Sequence, residues 1–156
     1  MHSQWAQKVV YCRDLEQMAY REAWDLQEEM LASMVQQKIQ NRVSEENGTD
    51  PSSFPVIPNY FLLVEHPPVY TLGKSGKEEH VLIGEEQRQA AGIEFYRTNR
   101  GGDITFHGPG QVVGYPLLDL EQFTTDIGKY LRDLEEVIIK TLDVYGLQGK
   151  RSPGET

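Results

Sequence analysis

Four glycines and a proline crowd into twelve residues of this chain, Arg100-Gly101-Gly102-Asp103-Ile104-Thr105-Phe106-His107-Gly108-Pro109-Gly110-Gln111. Glycine tolerates positive φ and lets backbone N–H groups approach a ligand with no Cβ in the way. A run of this kind between two strands can line a groove for an extended substrate. Arg100 offers a charged fork there, and His107 a group that donates or accepts near neutral pH. A glycine-rich hairpin carrying a solvated histidine satisfies the same residues, and the run taken alone leaves both readings open. Three more specific readings fail. The spacing is not Gly-x-Gly-x-x-Gly at a helix start, and no Gly-Lys-Ser/Thr closes a phosphate loop. The Arg-Gly-Gly triplet occurs once, in a chain of net charge −9, which argues against an RNA-binding repeat.

Hydropathy orders the rest of the chain. Residues 9–11 read as a short strand. Asp14, with Gln17 three residues on, is placed to cap a helix. Ala19, Ala23, Leu26, Met30 and Met34 then recur at helical spacing to about Ile39, a stripe read as core. Residues 44–59 form a loop by composition. Residues 60–65 are a continuous apolar strand, ended by His66-Pro67-Pro68 because a residue before proline is held extended. Residues 69–72 continue as a strand, ahead of a Gly73-Lys74-Ser75-Gly76-Lys77 loop. Residues 85–91 predict a short helix closed by Gly92, residues 93–98 a strand, and residues 111–120 a strand made less regular by Pro116. Asp126 caps a last helix with the stripe Ile127, Tyr130, Leu131, Leu134, Ile138, Leu142 and Tyr145, stopped by Gly146. Residues 149–156 are polar and carry no core pattern. Strands between two long helices indicate an α+β fold with a mostly antiparallel or mixed sheet.

Composition narrows the function. The acidic balance disfavours nucleic acid or an anionic membrane surface as the main partner, although Lys74, Lys77, Arg97 and Arg100 are candidates for a local basic patch. No apolar run has the length of a membrane span, and residues 1–5 have no signal-peptide pattern. A single cysteine, Cys12, forms no internal disulfide and fits a reducing compartment such as the cytoplasm. His2, His66, His80 and His107 show no close pairing, so no metal site is assigned.

Two motifs carry a resemblance. Arg100-Gly101-Gly102-x-x-Thr105-x-His107-Gly108-Pro109-Gly110-Gln111 with Tyr115-Pro116 resembles the signature of the lipoyl(octanoyl) transferase family, and Glu65-His66-Pro67-Pro68-Val69-Tyr70-Thr71-Leu72-Gly73 is similar to a second, upstream motif of that family. Phe106 stands where the family usually has tyrosine. The resemblance implies a biotin/lipoate protein ligase-like fold, a mixed sheet flanked by helices. It implies an acyltransferase that moves an octanoyl group from octanoyl-acyl carrier protein to a lysine of lipoyl domains, in 2-oxoacid dehydrogenases and the glycine cleavage H protein. The acyl group passes through a cysteine thioester, a nearby lysine lowers the pKa of that cysteine, and no cofactor is called for. Carried over by position, Arg100, Gly101, Gly102, Asp103, Ile104, Thr105, Phe106 and His107 line the substrate pocket.

The family's cysteine and lysine lie downstream of the last helix, and this sequence ends at Thr156. The expectation is therefore one domain over residues 1–156, truncated at its C-terminus, with no catalytic residue in the chain. Cys12 reads as structural, and Lys150 does not match the family's lysine. A natural short form that binds acyl groups or lipoyl domains without turnover is the alternative, as is an ATP-dependent lipoate ligase of the same fold.

Overall fold

Residues 60–64, the longest apolar stretch in the sequence, sit at the centre of a sheet. A computed structural model describes residues 8–152. It places a strand β2 at Asn59–Glu65, paired on one side with β1, Val10–Gln17, and on the other with β6, Val112–Leu117. The β1–β2 pairing is parallel and the β2–β6 pairing antiparallel. A second three-stranded sheet has β3, Val69–Leu72, at its centre, with β4, Glu94–Arg97, parallel on one side and β5, Ile104–His107, antiparallel on the other. The mixed pairing expected from the sequence is present in both sheets, and with three helices the fold is α+β. Pro116 pairs opposite Phe61 on an outer strand, where a missing N–H costs least.

The first long helix starts later than the sequence suggests. Asp14 does not cap it: it still pairs with Leu63, and its carboxylate accepts the Glu16 N–H at 2.8 Å. A bulge follows between Asp14 and Gln17, with Glu16 at φ 54°. Pairing with β2 thus extends the strand and spends the capping side chain inside it. Helix α1 then runs over Tyr20–Glu46, past the expected end at Ile39. It stops at Asn47-Gly48, where Gly48 has φ 82°, the left-handed turn that glycine tolerates best.

The core lies between α1 and the first sheet. Met34, Leu62 and Leu117 are buried together, with Met30, Leu15, Ile57, Tyr60 and Tyr115 packed against them. Leu62, Val64, Val69 and Leu72 are almost wholly excluded from water, each contributing about 1.5–3 kcal/mol on burial. The helical stripe read as core faces inward over most of its length: Ala23 and Met34 are buried, Ala19, Leu26 and Met30 half-buried, and only its end at Ile39 is exposed. Leu31, Val35 and Val43, which lie off that stripe, are exposed as well.

The chain divides into two compact units, one of Val9–Leu118 and a second that takes in the residues from Asp119 on together with Lys8. In the second, α3 spans Ile127–Val144, and the Asp126 carboxylate accepts the Lys129 N–H at 3.0 Å. Gly146 follows at φ 73°. The short helix α2, Glu85–Ala90, belongs to the first unit and is closed by Gly92 at φ 65°. Among the residues named from the sequence, residues 1–5, His2 included, and residues 153–156 lie outside the described part.

Candidate active site

The glycine run is not one loop. Its middle, Ile104–His107, is the strand β5, because Ile, Thr and Phe in succession suit a pleated surface and find β3 as partner. Pairing is in the order Val69–His107, Tyr70–Phe106, Thr71–Thr105 and Leu72–Ile104. Alternation therefore sorts the expected pocket residues onto two faces. His107 and Thr105 share a face with the buried Val69 and Thr71. Ile104 and Phe106 take the other face, where the Phe106 ring lies 5.0 Å from that of Tyr70.

The preceding turn, 100–103, is built against the Gly73–Ser75 loop. The Gly73, Lys74 and Ser75 N–H groups donate to the carbonyls of Asp103, Arg100 and Gly102. A Cβ on Gly73 would lie 2.4 Å from the Gly102 carbonyl oxygen and 2.8 Å from that of Gly101, so only glycine permits this approach. The Arg100 fork is turned inward. Its Nη2 donates to the Thr71 carbonyl at 2.7 Å, to Thr71 Oγ1 at 2.8 Å and to the Asp103 carbonyl at 3.1 Å, and its Nη1 to the Gly101 carbonyl at 2.9 Å. Asp103 is bonded to His80. The candidate basic patch is likewise largely neutralised: Lys77 pairs with Glu79 and Arg97 with Glu78.

At the other end of β5, His107 joins a cluster of rings. The Tyr20 ring stacks on His107 at 6.3 Å with 12° between planes, and His66 meets His107 edge-on at 5.9 Å. Tyr20 also contacts His66 and Tyr96, each at 5.3 Å, and Tyr115 lies 6.0 Å from His66. His66 is fully buried and fully bonded. Its Nδ1–H donates to the Met18 carbonyl at 2.8 Å, and its Nε2 accepts the Tyr115 hydroxyl at 2.9 Å. Burial holds the His66 pKa below its ordinary value, opposed by the Met18 carbonyl and aided by the nearby His107. Burial likewise raises the Tyr115 and Tyr20 phenols, the latter against the Arg100 charge. The result is a wall of neutral rings with one imidazole at its surface.

His66 and Tyr115 stand in the two sequence motifs, whose spacing gives neither a site role. Tyr20 and Tyr96 carried no sequence signal, because only the helix start and the β3–β4 pairing bring them here. Cys12 is exposed in mid-strand opposite Phe61, outside the ring cluster. A cleft of about 470 Å³ elsewhere in the unit, lined by Arg13, Leu26, Met30, Met34 and Tyr60 among others, contains none of residues 100–107. Among the described residues no group of three or more His, Cys, Asp or Glu is arranged to hold a metal ion, and no helix is long and apolar enough to cross a membrane.

Residues 19–155 match the family model described as the lipoyl protein ligase A/B catalytic domain. The chain is 56% identical over 151 residues to an octanoyltransferase of Christiangramia forsetii and 54% identical over 149 residues to one of Flavobacterium psychrophilum, in each case 96% of this chain and 61% of the relative. A Gloeobacter violaceus octanoyltransferase is 41% identical over 137 residues, 88% of this chain and 52% of its own length. The chain thus spans about three-fifths of the length of the first two relatives.

Proposed function

This chain belongs to the lipoyl protein ligase A/B catalytic domain family, and on that premise we propose that the whole protein is an octanoyltransferase. It takes the octanoyl group from octanoyl-acyl carrier protein and passes it to a lysine of lipoyl domains, in 2-oxoacid dehydrogenases and the glycine cleavage H protein, in the cytoplasm. In the first step a cysteine thiolate attacks the thioester carbonyl and expels the carrier's thiol. In the second the lysine amine attacks the acyl-enzyme, forms an amide and regenerates the thiolate. Cys12 is assigned no part in this.

The observation that carries the reading is the closure of His107 onto Tyr20, with His66 and Tyr115 behind it, at the end of the glycine-bearing motif. A wall of neutral rings keeps water from an acyl thioester, where hydrolysis competes with transfer. In this reading residues 100–107 form the pocket wall. Arg100 holds its turn in shape, and Thr105 and His107 share the face on which the rings gather.

The test mixes the whole protein, rather than residues 1–156 alone, with octanoyl-acyl carrier protein and an apo lipoyl domain, without ATP, and follows intact masses. The lipoyl domain is expected to gain one octanoyl group, equally with a Cys12→Ser variant. No gain with an active donor sinks the proposal, and transfer only from free acid plus ATP assigns the protein to ligase chemistry instead.

A further inference from the structure

The His107 ring makes one hydrogen bond among the described residues, between Nδ1 and Gln111 Oε1 at 2.6 Å. A carbonyl oxygen only accepts, so in a neutral ring this contact requires the proton on Nδ1, which leaves Nε2 bare. Every buried side-chain nitrogen and oxygen among the described residues has a partner. His107 is only partly buried and its Nε2 has no partner, so that nitrogen is open to solvent. The ring cannot turn freely, because Tyr20 stacks on one face and His66 abuts it edge-on.

Gln111 lies just beyond the Gly108-Pro109-Gly110 turn, where its N–H donates to the Gly108 carbonyl at 3.1 Å. Gly110 takes φ 85° there. The turn thus folds Gln111 back over the end of β5 and onto the imidazole. Its place in the motif is explained by this bond.

We propose that Gln111 is a positioning residue that locks His107 in the Nδ1–H tautomer, so that the site presents a bare Nε2 acceptor whose ligand is a neutral N–H donor. This rests on the octanoyltransferase reading for the ligand alone. In that reading the donor that fits is an amide N–H of the pantetheine arm bearing the acyl thioester. A free carboxylate, which has no proton to give, is not bound there. The tautomer stands independently of any activity.

The test is ¹⁵N NMR of the histidine rings of the chain at pH 8, with His107 assigned by substitution. Wild type is expected to show His107 protonated at Nδ1. Gln111→Glu keeps an acceptor and should keep that tautomer, whereas Gln111→Leu should convert His107 largely to the Nε2–H form while the His66 signals stay in place. A wild-type ring protonated at Nε2, or no change in Gln111→Leu, overturns the proposal. Octanoyl-pantetheine should then shift the Nε2 resonance and octanoate should not, and the reverse pattern also overturns it. If octanoyl-pantetheine perturbs Tyr20 and His66 but leaves His107 Nε2 unmoved, this inference fails and the acyl-site reading survives. If it perturbs no residue of the cluster, the acyl-site reading fails with it.

Discussion

At the scale of single residues, a buried histidine with both nitrogens engaged is sensitive to any change in its partners. His66→Phe removes the acceptor of the Tyr115 hydroxyl and the donor to the Met18 carbonyl, and each buried group left unpaired costs about 1–3 kcal/mol. Chemical denaturation should show a loss in that range or above. The same residue sets a pH dependence. Its native pKa lies below the unfolded value, so the unfolded chain takes up the proton first as pH falls. The contribution of His66 is therefore fully present above about pH 6.5 and is lost as pH falls from there towards the lowered native value. Denaturation midpoints measured between pH 8 and pH 5 should fall more in wild type than in His66→Phe, and parallel curves would remove His66 as the cause. Gly73→Ala tests the other end of the site. A methyl group 2.4 Å from a backbone oxygen cannot be absorbed by a rotamer change. The substitution should cost about 1–3 kcal/mol by overpacking and displace the 100–103 turn, visible as shifted amide resonances there.

At the scale of elements, strands and caps follow different logic at the two long helices. Asp126 caps α3 as its sequence position implies. Asp126→Ala should lower stability by about 1 kcal/mol, with a matching loss of helical signal in circular dichroism, and Asp126→Asn should recover most of it. Asp14 fails as a cap for α1 because the same carboxylate satisfies a bulged strand, and α1 begins behind Ala19 with no side-chain cap. That later start places Tyr20 beside His66. A strand pairing 49 residues distant in sequence, Asp14 with Leu63 among its rungs, thus decides where the helix begins and which ring reaches the site. No local pattern encodes that competition. The stripe Ala19, Ala23, Leu26, Met30 and Met34 was legible both as helical and as inward-facing, and only its end at Ile39 turns to water; the exposed apolar side chains at 31, 35 and 43 belong to another face, which no local pattern explains.

At the scale of the whole molecule, apolar side chains remain in contact with solvent on both long helices, Leu31, Val35, Ile39 and Val43 on α1 and Ile127, Val137, Ile138 and Val144 on α3. Contiguous exposed apolar surface drives association. Sedimentation velocity over rising concentration should show this chain self-associating, and Val35→Lys with Ile138→Lys should reduce it; a single monomeric species throughout would contradict the expectation. The sequence by itself determined the α+β class, the strands at β2 and β3, the glycine stops, the cap of α3 and the family motifs, because each depends on residues a few positions apart. Tertiary structure alone decided that Arg100 closes on its own turn, that Thr105 and His107 part from Ile104 and Phe106, and that Tyr20, His66, Tyr96 and Tyr115 meet around one imidazole. Those outcomes rest on strand register and on partners far away in the chain. Spacing cannot report such partners, because the free energy of a contact is set by distance in space and not by separation along the backbone.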